Sequence, residues 1–169
     1  GPIGLFIIQL VHLKTPKKLL VLDVNEKRLN TALSLGGDMA LNPSKEDVVA
    51  RVLEMTGGYG CDVYIEASGN PVGVTQGLNM LRKKGRFVEF SVFSKEACLD
   101  WSIIGEKKEL DVLGAHISPN TYPIAIDLLN RKLITVTGIV THKYPLKDFS
   151  EAFRQAENLD ESVKVLLLP

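Results

Sequence analysis

The stretch GPIGLFIIQLVHLKTPKKLLVLD (residues 1–23) decides the fold, because two glycines, an apolar helix, a strand and an acidic residue follow one another there. The glycines match the last two of a G-x-G-x-x-G motif. In that motif Gly1 would let the main chain approach a pyrophosphate, and Gly4 would let the helix pack closely on a sheet. The motif also needs a preceding strand and a further glycine. Either the chain is part of a longer protein, or the glycines match by chance.

Asp23 strengthens the nucleotide interpretation. It ends the predicted strand KKLLVLDV (17–24), nineteen residues after Gly4. An acidic residue about 20 residues beyond the glycines accepts hydrogen bonds from the ribose hydroxyls of adenosine. Its charge would also repel a 2′-phosphate, so the pattern predicts a site for NAD rather than NADP, with Arg28 in reach of the adenosine. The structural alternative is that Asp23 supplies a negative charge to the start of the next helix.

Composition and charge exclude several classes of function. Twenty basic and twenty acidic residues cancel, so we expect neither nucleic acid nor a membrane as a partner. The apolar run 3–11 is too short to cross a bilayer. The two cysteines and three histidines are scattered without the spacing of a zinc site, so we expect no metal bound by this chain and a reducing, cytoplasmic setting.

Strand-like and helical segments alternate along the chain, which is typical of an α/β fold with a parallel sheet. Between residues 25 and 117 we expect strands 38–42, 61–68, 85–93 and 109–117, and helices 25–37, 44–58 (capped by Ser44) and 71–83. The pattern predicts a Rossmann-type doubly wound parallel sheet that lacks its first strand. A helix-strand-helix-strand extension follows, so we expect one domain over 1–117 and a C-terminal segment over 118–169.

Several segments carry a resemblance to a known family: GPIGL, VLDVNEKRL, GGYGCDVYIEASG, GRFVEFSVF, KELDVLGAH, IVTHKYPLKDFSEAF and the terminal VKVLLLP. Together they resemble the zinc-dependent medium-chain alcohol and polyol dehydrogenases, such as the sorbitol, threonine and erythritol/threitol dehydrogenases. The resemblance covers nearly the whole chain.

The resemblance implies what surrounds this chain and what the whole protein does. It implies a preceding catalytic domain that holds the catalytic zinc, so that this chain is the C-terminal, NAD-binding half, inactive alone and without catalytic or metal-binding residues. The whole protein would transfer hydride from an alcohol or polyol to NAD. It would also form a homodimer or tetramer through the strand ELDVLGAHI (109–117).

The resemblance also implies contacts to the cofactor, residue by residue. They are Gly1, Pro2 and Ile3 at the pyrophosphate, Asp23 and Arg28 at the adenosine, Ser91, Val92 and Phe93 beside the nicotinamide amide, Ala115, His116 and Ile117 on its far side, and Lys164 as a basic residue facing the cofactor. Relatives usually have glycine where Val92 stands.

Some of these residues also have a structural interpretation. Ser91–Phe93 can be read as the end of a core strand, and a lone histidine such as His116 is more often structural than catalytic. We assign His116 to lining the cofactor rather than to proton transfer. Glu66 and Glu89 are acids in apolar strands, and we expect them to be exposed at the strand ends.

Two other functions remain open at this point. A Rossmann fold does not itself imply an enzyme, so a non-catalytic NAD-binding module is the main alternative. A methyltransferase-like fold would also suit Asp23, but it gives the segment THKYPLKDFSEAF no role.

Overall fold

A computed structural model describes residues 1–117 and 120–169. In chain order its helices and strands are α1 (Pro2–His12), β1 (Leu20–Leu22), α2 (Glu26–Ser34), β2 (Met39–Leu41), α3 (Val48–Met55), β3 (Cys61–Glu66), α4 (Pro71–Met80), β4 (Leu81–Glu89), β5 (Asp111–Gly114), α5 (Tyr122–Asn130), β6 (Val140–Pro145), α6 (Phe149–Glu157) and β7 (Lys164–Leu168).

The chain forms two compact units, Gly1–Ser44 with Asn120–Pro169, and Lys45–Pro119. The domain boundary predicted between residues 117 and 118 adjoins residues 118 and 119, which lie outside the described residues. The division into 1–117 and 118–169 therefore stays a prediction.

The first unit contains two pairs of parallel strands. β1 pairs with β2, with Leu20 opposite Met39, and β6 pairs with β7. The core of this unit is apolar and contains residues from both of its chain segments, 1–44 and 120–169. Leu5 and Ile8 of α1 pack with Ala32 of α2 and with Ile139. The burial of these side chains holds α1 in place.

The second unit is a three-stranded parallel sheet in the order β3-β4-β5. Val74 and Leu78 of α4 pack with Leu81 and Phe87 of β4. Helices cross over between the parallel strands β1–β2 and β3–β4. The prediction of an α/β fold built on parallel strands is therefore confirmed.

β1 and β3 are both edge strands of their sheets among the described residues. Within the described parts of the chain, β1 pairs only with β2, and β3 pairs only with β4. Val63, inside β3, is 50% exposed, which is unusual for a residue of a central parallel strand.

Several predicted boundaries were wrong. Ser44 does not cap α3; the helix begins at Val48, because the Asp47 carboxylate accepts hydrogen bonds from the Val49 and Ala50 amides, both at 3.0 Å. A carboxylate that satisfies two free amides fixes a helix start.

The strands that carry the predicted nicotinamide contacts are also shorter than expected. β4 ends at Glu89 and β5 at Gly114, so residues 91–93 and 115–117 follow their strands instead of ending them. The helix predicted over 71–83 ends at Met80, because β4 begins at Leu81.

Replacing Gly77 with alanine tests how closely α4 packs on the sheet. A Cβ at this buried position would lie 2.3 Å from Cε1 of Tyr64, whose ring stacks on Phe87 at 5.6 Å. Overpacking costs about 1–3 kcal/mol and outweighs the ~1 kcal/mol gained in helix propensity. We expect Gly77→Ala to lower the free energy of unfolding, as measured by urea denaturation.

The matched control for that substitution is Thr75→Ala, at an exposed position of the same helix. Here the gain in helix propensity is not opposed by a clash, so we expect stability to be unchanged or slightly raised. Equal stabilities of the two variants would show that the Tyr64 ring does not pack on Gly77.

Candidate functional site

The first part of the site lies where α1 begins and β1 ends. Asp23 directly follows β1, and its Oδ2 lies 3.5 Å from the Gly1 main-chain nitrogen. Pro2 suits the first helical turn, where its missing N–H costs nothing. The early amides of a helix have no partner within it, so they are free for an anion. The structure thus places Gly1 beside Asp23, with Pro2 in the first turn of α1.

The Asp23 carboxylate keeps capacity for a ligand. Its Oδ1 accepts a hydrogen bond from the Asn25 amide at 2.9 Å, and its side chain is 19% exposed. Two carboxylate oxygens offer about four acceptor positions. The same turn starts α2, because the Asn25 side chain accepts from the Arg28 amide at 3.1 Å. Asp23 is therefore partly exposed at a hydrogen-bonded turn.

Arg28 is tied to the loop that precedes β7. Its Nη2 donates to the Leu159 carbonyl at 3.2 Å, and the Asn25 side chain donates to the same oxygen at 3.4 Å. Its Nε is buried with no hydrogen-bond partner within 1–117 and 120–169. The guanidinium is held beside Asn25 with donor capacity left unused.

The glycine positions are open. A Cβ on Gly1 or Gly4 would meet none of the described atoms within 4 Å. The close packing predicted for Gly4 is therefore wrong for the residues that the structure describes. Ile3 is 51% exposed on the same turn.

A separate group of predicted contact residues lies in the turn that follows β4. The Ser91 amide donates to Glu89 Oε1 at 2.6 Å, and the Ser91 hydroxyl donates to Glu66 Oε2. Phe93 packs against the core of the second unit. Val92, between these two anchored residues, is 95% exposed.

Glu66 does not lie exposed at the strand end, as the sequence suggested; it is 1% exposed. Its carboxylate accepts hydrogen bonds from the Ser68 amide at 2.9 Å, the Gly69 amide at 3.0 Å and the hydroxyls of Ser68 and Ser91. These donors offset the free-energy cost of burying the carboxylate. Ser68 and Gly69, two and three residues after Glu66, were the sequence signal from which this burial could have been predicted.

Glu89 is half-buried beside this network. Burial raises the pKa of its carboxyl above the ordinary value; the hydrogen bond from the Ser91 amide opposes that rise, and the nearby Glu66 carboxylate adds to it. Glu89 was expected to be exposed, and it is instead a second acceptor for the turn after β4.

The residues after β5 lie at the same edge of the sheet. The Ala115 amide donates to the Glu89 carbonyl at 3.0 Å, and Ala115, His116 and Ile117 are all exposed. Ile117 has a φ of 51°, in the left-handed region. Residues 115–117 thus leave the sheet at the same edge as Ser91–Phe93.

Lys164 begins β7 in the first unit and is exposed; its carbonyl accepts from the Thr141 hydroxyl at 3.2 Å.

Within 1–117 and 120–169, no three His, Cys, Asp or Glu side chains are grouped so that they could hold a metal ion. No helix in this part of the chain has the length and apolar character needed to cross a membrane.

Residues 2–131 match the family model described as zinc-binding dehydrogenase. Together with the parallel α/β fold, this match identifies the class, and the chain belongs to the zinc-binding dehydrogenase family. The resemblance predicted from the sequence motifs is confirmed.

Individual relatives agree with this assignment. The chain is 43% identical to the erythritol/L-threitol dehydrogenase of Mycolicibacterium smegmatis over 169 residues, all of this chain and 47% of the relative. It resembles the crystal structure of 2R,3R-butanediol dehydrogenase from Bacillus subtilis with a TM-score of 0.89 and 30% identity, over 100% of this chain and 48% of that one.

A third relative was solved with a nucleotide. The chain matches a structure from Escherichia coli CFT073, described as a short chain alcohol dehydrogenase complexed with the cofactor NADH, with a TM-score of 0.90 and 26% identity. That match covers 100% of this chain and 50% of the other. The chain thus spans about half the length of the relatives that it matches.

Proposed function

We propose that this chain binds NAD for a protein that oxidises an alcohol or polyol. The observation that carries the proposal is the Asp23 carboxylate, which lies at the end of β1 beside the start of α1. Membership of the zinc-binding dehydrogenase family and the NADH-bound relative support it. NAD, when bound, supplies the acceptor for hydride.

The residues of the first unit suit the adenosine and pyrophosphate of NAD. Asp23 accepts hydrogen bonds from the ribose hydroxyls, and its charge disfavours a 2′-phosphate. The free amides at the start of α1, around Gly1, Pro2 and Ile3, stabilise the phosphates. Arg28 contributes at the adenosine, and Lys164 supplies a further positive charge toward the cofactor.

The residues of the second unit suit the nicotinamide. Two short turns, Ser91–Phe93 and Ala115–Ile117, offer main-chain groups at the carboxyl ends of neighbouring strands, where ligands bind in open α/β sheets. His116 lines this edge and has no assigned part in proton transfer.

The zinc of the family has no fitting group of ligands among the described residues, so no step is assigned to it. A cytoplasmic location remains a prediction of the sequence.

Titration of the chain with NADH and NADPH tests the cofactor assignment. Asp23→Asn keeps an oxygen that can accept from the Asn25 amide but removes the charge. Hydrogen bonds to charged groups contribute about 1.5–3 kcal/mol, so we expect NADH to bind about tenfold or more weakly. Binding of NADPH should be unchanged or improved.

Asp127→Asn is the matched control, because it removes one negative charge from an exposed ion pair with Arg131 on α5. We expect its affinities for both nucleotides to equal those of the wild type. The assignment fails if Asp23→Asn binds NADH as the wild type does, or if the wild type binds NADPH as tightly as NADH.

The substrate class is a polyol, by similarity to the relative that is named for erythritol and L-threitol. We expect the full-length protein that contains this chain to reduce NAD with erythritol, threitol or sorbitol, followed by NADH absorbance. The 169-residue chain alone should bind NADH without turnover. NAD binding without turnover in the full-length protein would favour a non-catalytic NAD-binding module, and activity with NADP alone would contradict the proposal.

We further propose that the chain forms a homodimer through β5. This strand ends the sheet order, all four of its residues are exposed, and Val112 and Leu113 are 46% and 47% exposed. The unpaired main-chain groups of an edge strand favour pairing with another strand, and two copies can pair symmetrically about a two-fold axis.

Placing a charge on this strand tests the dimer. Lysine on an edge strand opposes strand pairing, so we expect Val112→Lys to be monomeric by light scattering, with the wild type at about twice the 18.6 kDa of one chain. Leu33→Lys, on the exposed face of α2, is the control and should stay dimeric. A wild-type monomer, or a dimeric Val112→Lys, would refute the interface.

A further inference from the structure

Glu66 is a buried acid whose partners among residues 1–117 and 120–169 include no cation. Its carboxylate is satisfied by two amides and two hydroxyls, all of them neutral donors. Such an arrangement needs an acceptor at both oxygens, which an ionised carboxylate provides and an amide does not. The surrounding turns are thus built around two acceptor oxygens.

Three of the four donors are local, and the fourth is not. The amide and hydroxyl of Ser68 and the amide of Gly69 belong to the turn directly after β3. The Ser91 hydroxyl comes from the turn after β4, 25 residues further along the chain. A second link runs beside it, since the Phe90 amide donates to the Glu66 carbonyl at 3.0 Å. Glu66 therefore joins two turns that each follow a different strand.

The two turns also approach each other closely. Gly69 has a φ of +71°, and a Cβ there would lie 2.6 Å from the Val92 carbonyl oxygen. Ser91 is held at its amide by Glu89 and at its hydroxyl by Glu66. The orientation of the exposed Val92 main chain thus depends on the Ser91–Glu66 bond.

We infer that Glu66 is a positioning residue for the nicotinamide: through Ser91 it fixes the main chain of residues 91–93 against the nicotinamide amide. The inference rests on the proposed NAD function. Glu66 takes no part in a chemical step, because its buried carboxylate is occupied by donors of the two turns. None of the predicted contacts contained this residue.

The test compares NADH with ADP-ribose, which has the adenosine and both phosphates but no nicotinamide. Glu66→Gln has the same size but brings an NH2 group against the donors. We expect the dissociation constant of NADH to rise about tenfold and that of ADP-ribose to change less than about twofold. Calorimetric titration of the 169-residue chain measures both.

Ser91→Ala and Ser91→Thr keep the test decisive if Glu66→Gln does not fold. Ser91→Ala removes the side-chain bond between the turns and leaves the main-chain bond from Phe90 to Glu66, and it should reproduce the selective loss of NADH affinity. Ser91→Thr retains the hydroxyl that bonds to Glu66, so it should keep the NADH affinity of the wild type. Ser68→Ala, the control, removes a local bond to Glu66; it should lower stability in urea without separating the two ligands.

The outcomes distinguish this inference from the function on which it rests. If the wild type binds neither ligand, the proposed function fails and the inference fails with it. If the wild type binds both, and Glu66→Gln and Ser91→Ala lose both equally or lose neither, the NAD function stands. Glu66 is then only a structural residue.

Discussion

The register at the carboxyl ends of the parallel strands determines how the turns of the second unit are arranged. Glu66 lies opposite Glu89, and Glu89 lies opposite Gly114, so three strands end in one line. The turns that follow are thereby brought to one edge of the sheet. A shift of one residue in a pairing would send the side chains of that strand to the opposite face, and Glu66 would lose Ser91.

Two acids at strand ends show how local donors decide the role of a carboxylate. Glu66 is surrounded by four donors from its own chain and is withdrawn from solvent. Asp23 accepts hydrogen bonds from the Asn25 amide and from the Gly1 nitrogen, and it stays partly exposed. The first is used to hold the protein, and the second keeps acceptor capacity for a ligand. The number of donors supplied by the chain separates these roles, because an unpaired buried charge is too costly.

Local signals explain which features were predictable. The order of glycine, helix, strand and Asp23 follows from periodicity and from Pro2 at the helix start, and the structure matches it. The role of Glu66 was missed because Ser91, its fourth donor, is distant in the sequence. The cap of α3 was misassigned because Ser44 and Asp47 both suit a cap; the Ser44 amide instead donates to Asn42, and the helix starts later.

The glycine at position 69 limits how the edge of the second unit can be altered. Its left-handed backbone would strain any residue with a side chain. The Val92 carbonyl also lies too close to leave space for a Cβ. Residues 66–70 and 89–93 are consequently a matched pair rather than two independent loops. Insertions in one will be tolerated only with compensating change in the other, and a loop graft from a relative must transplant both segments at once.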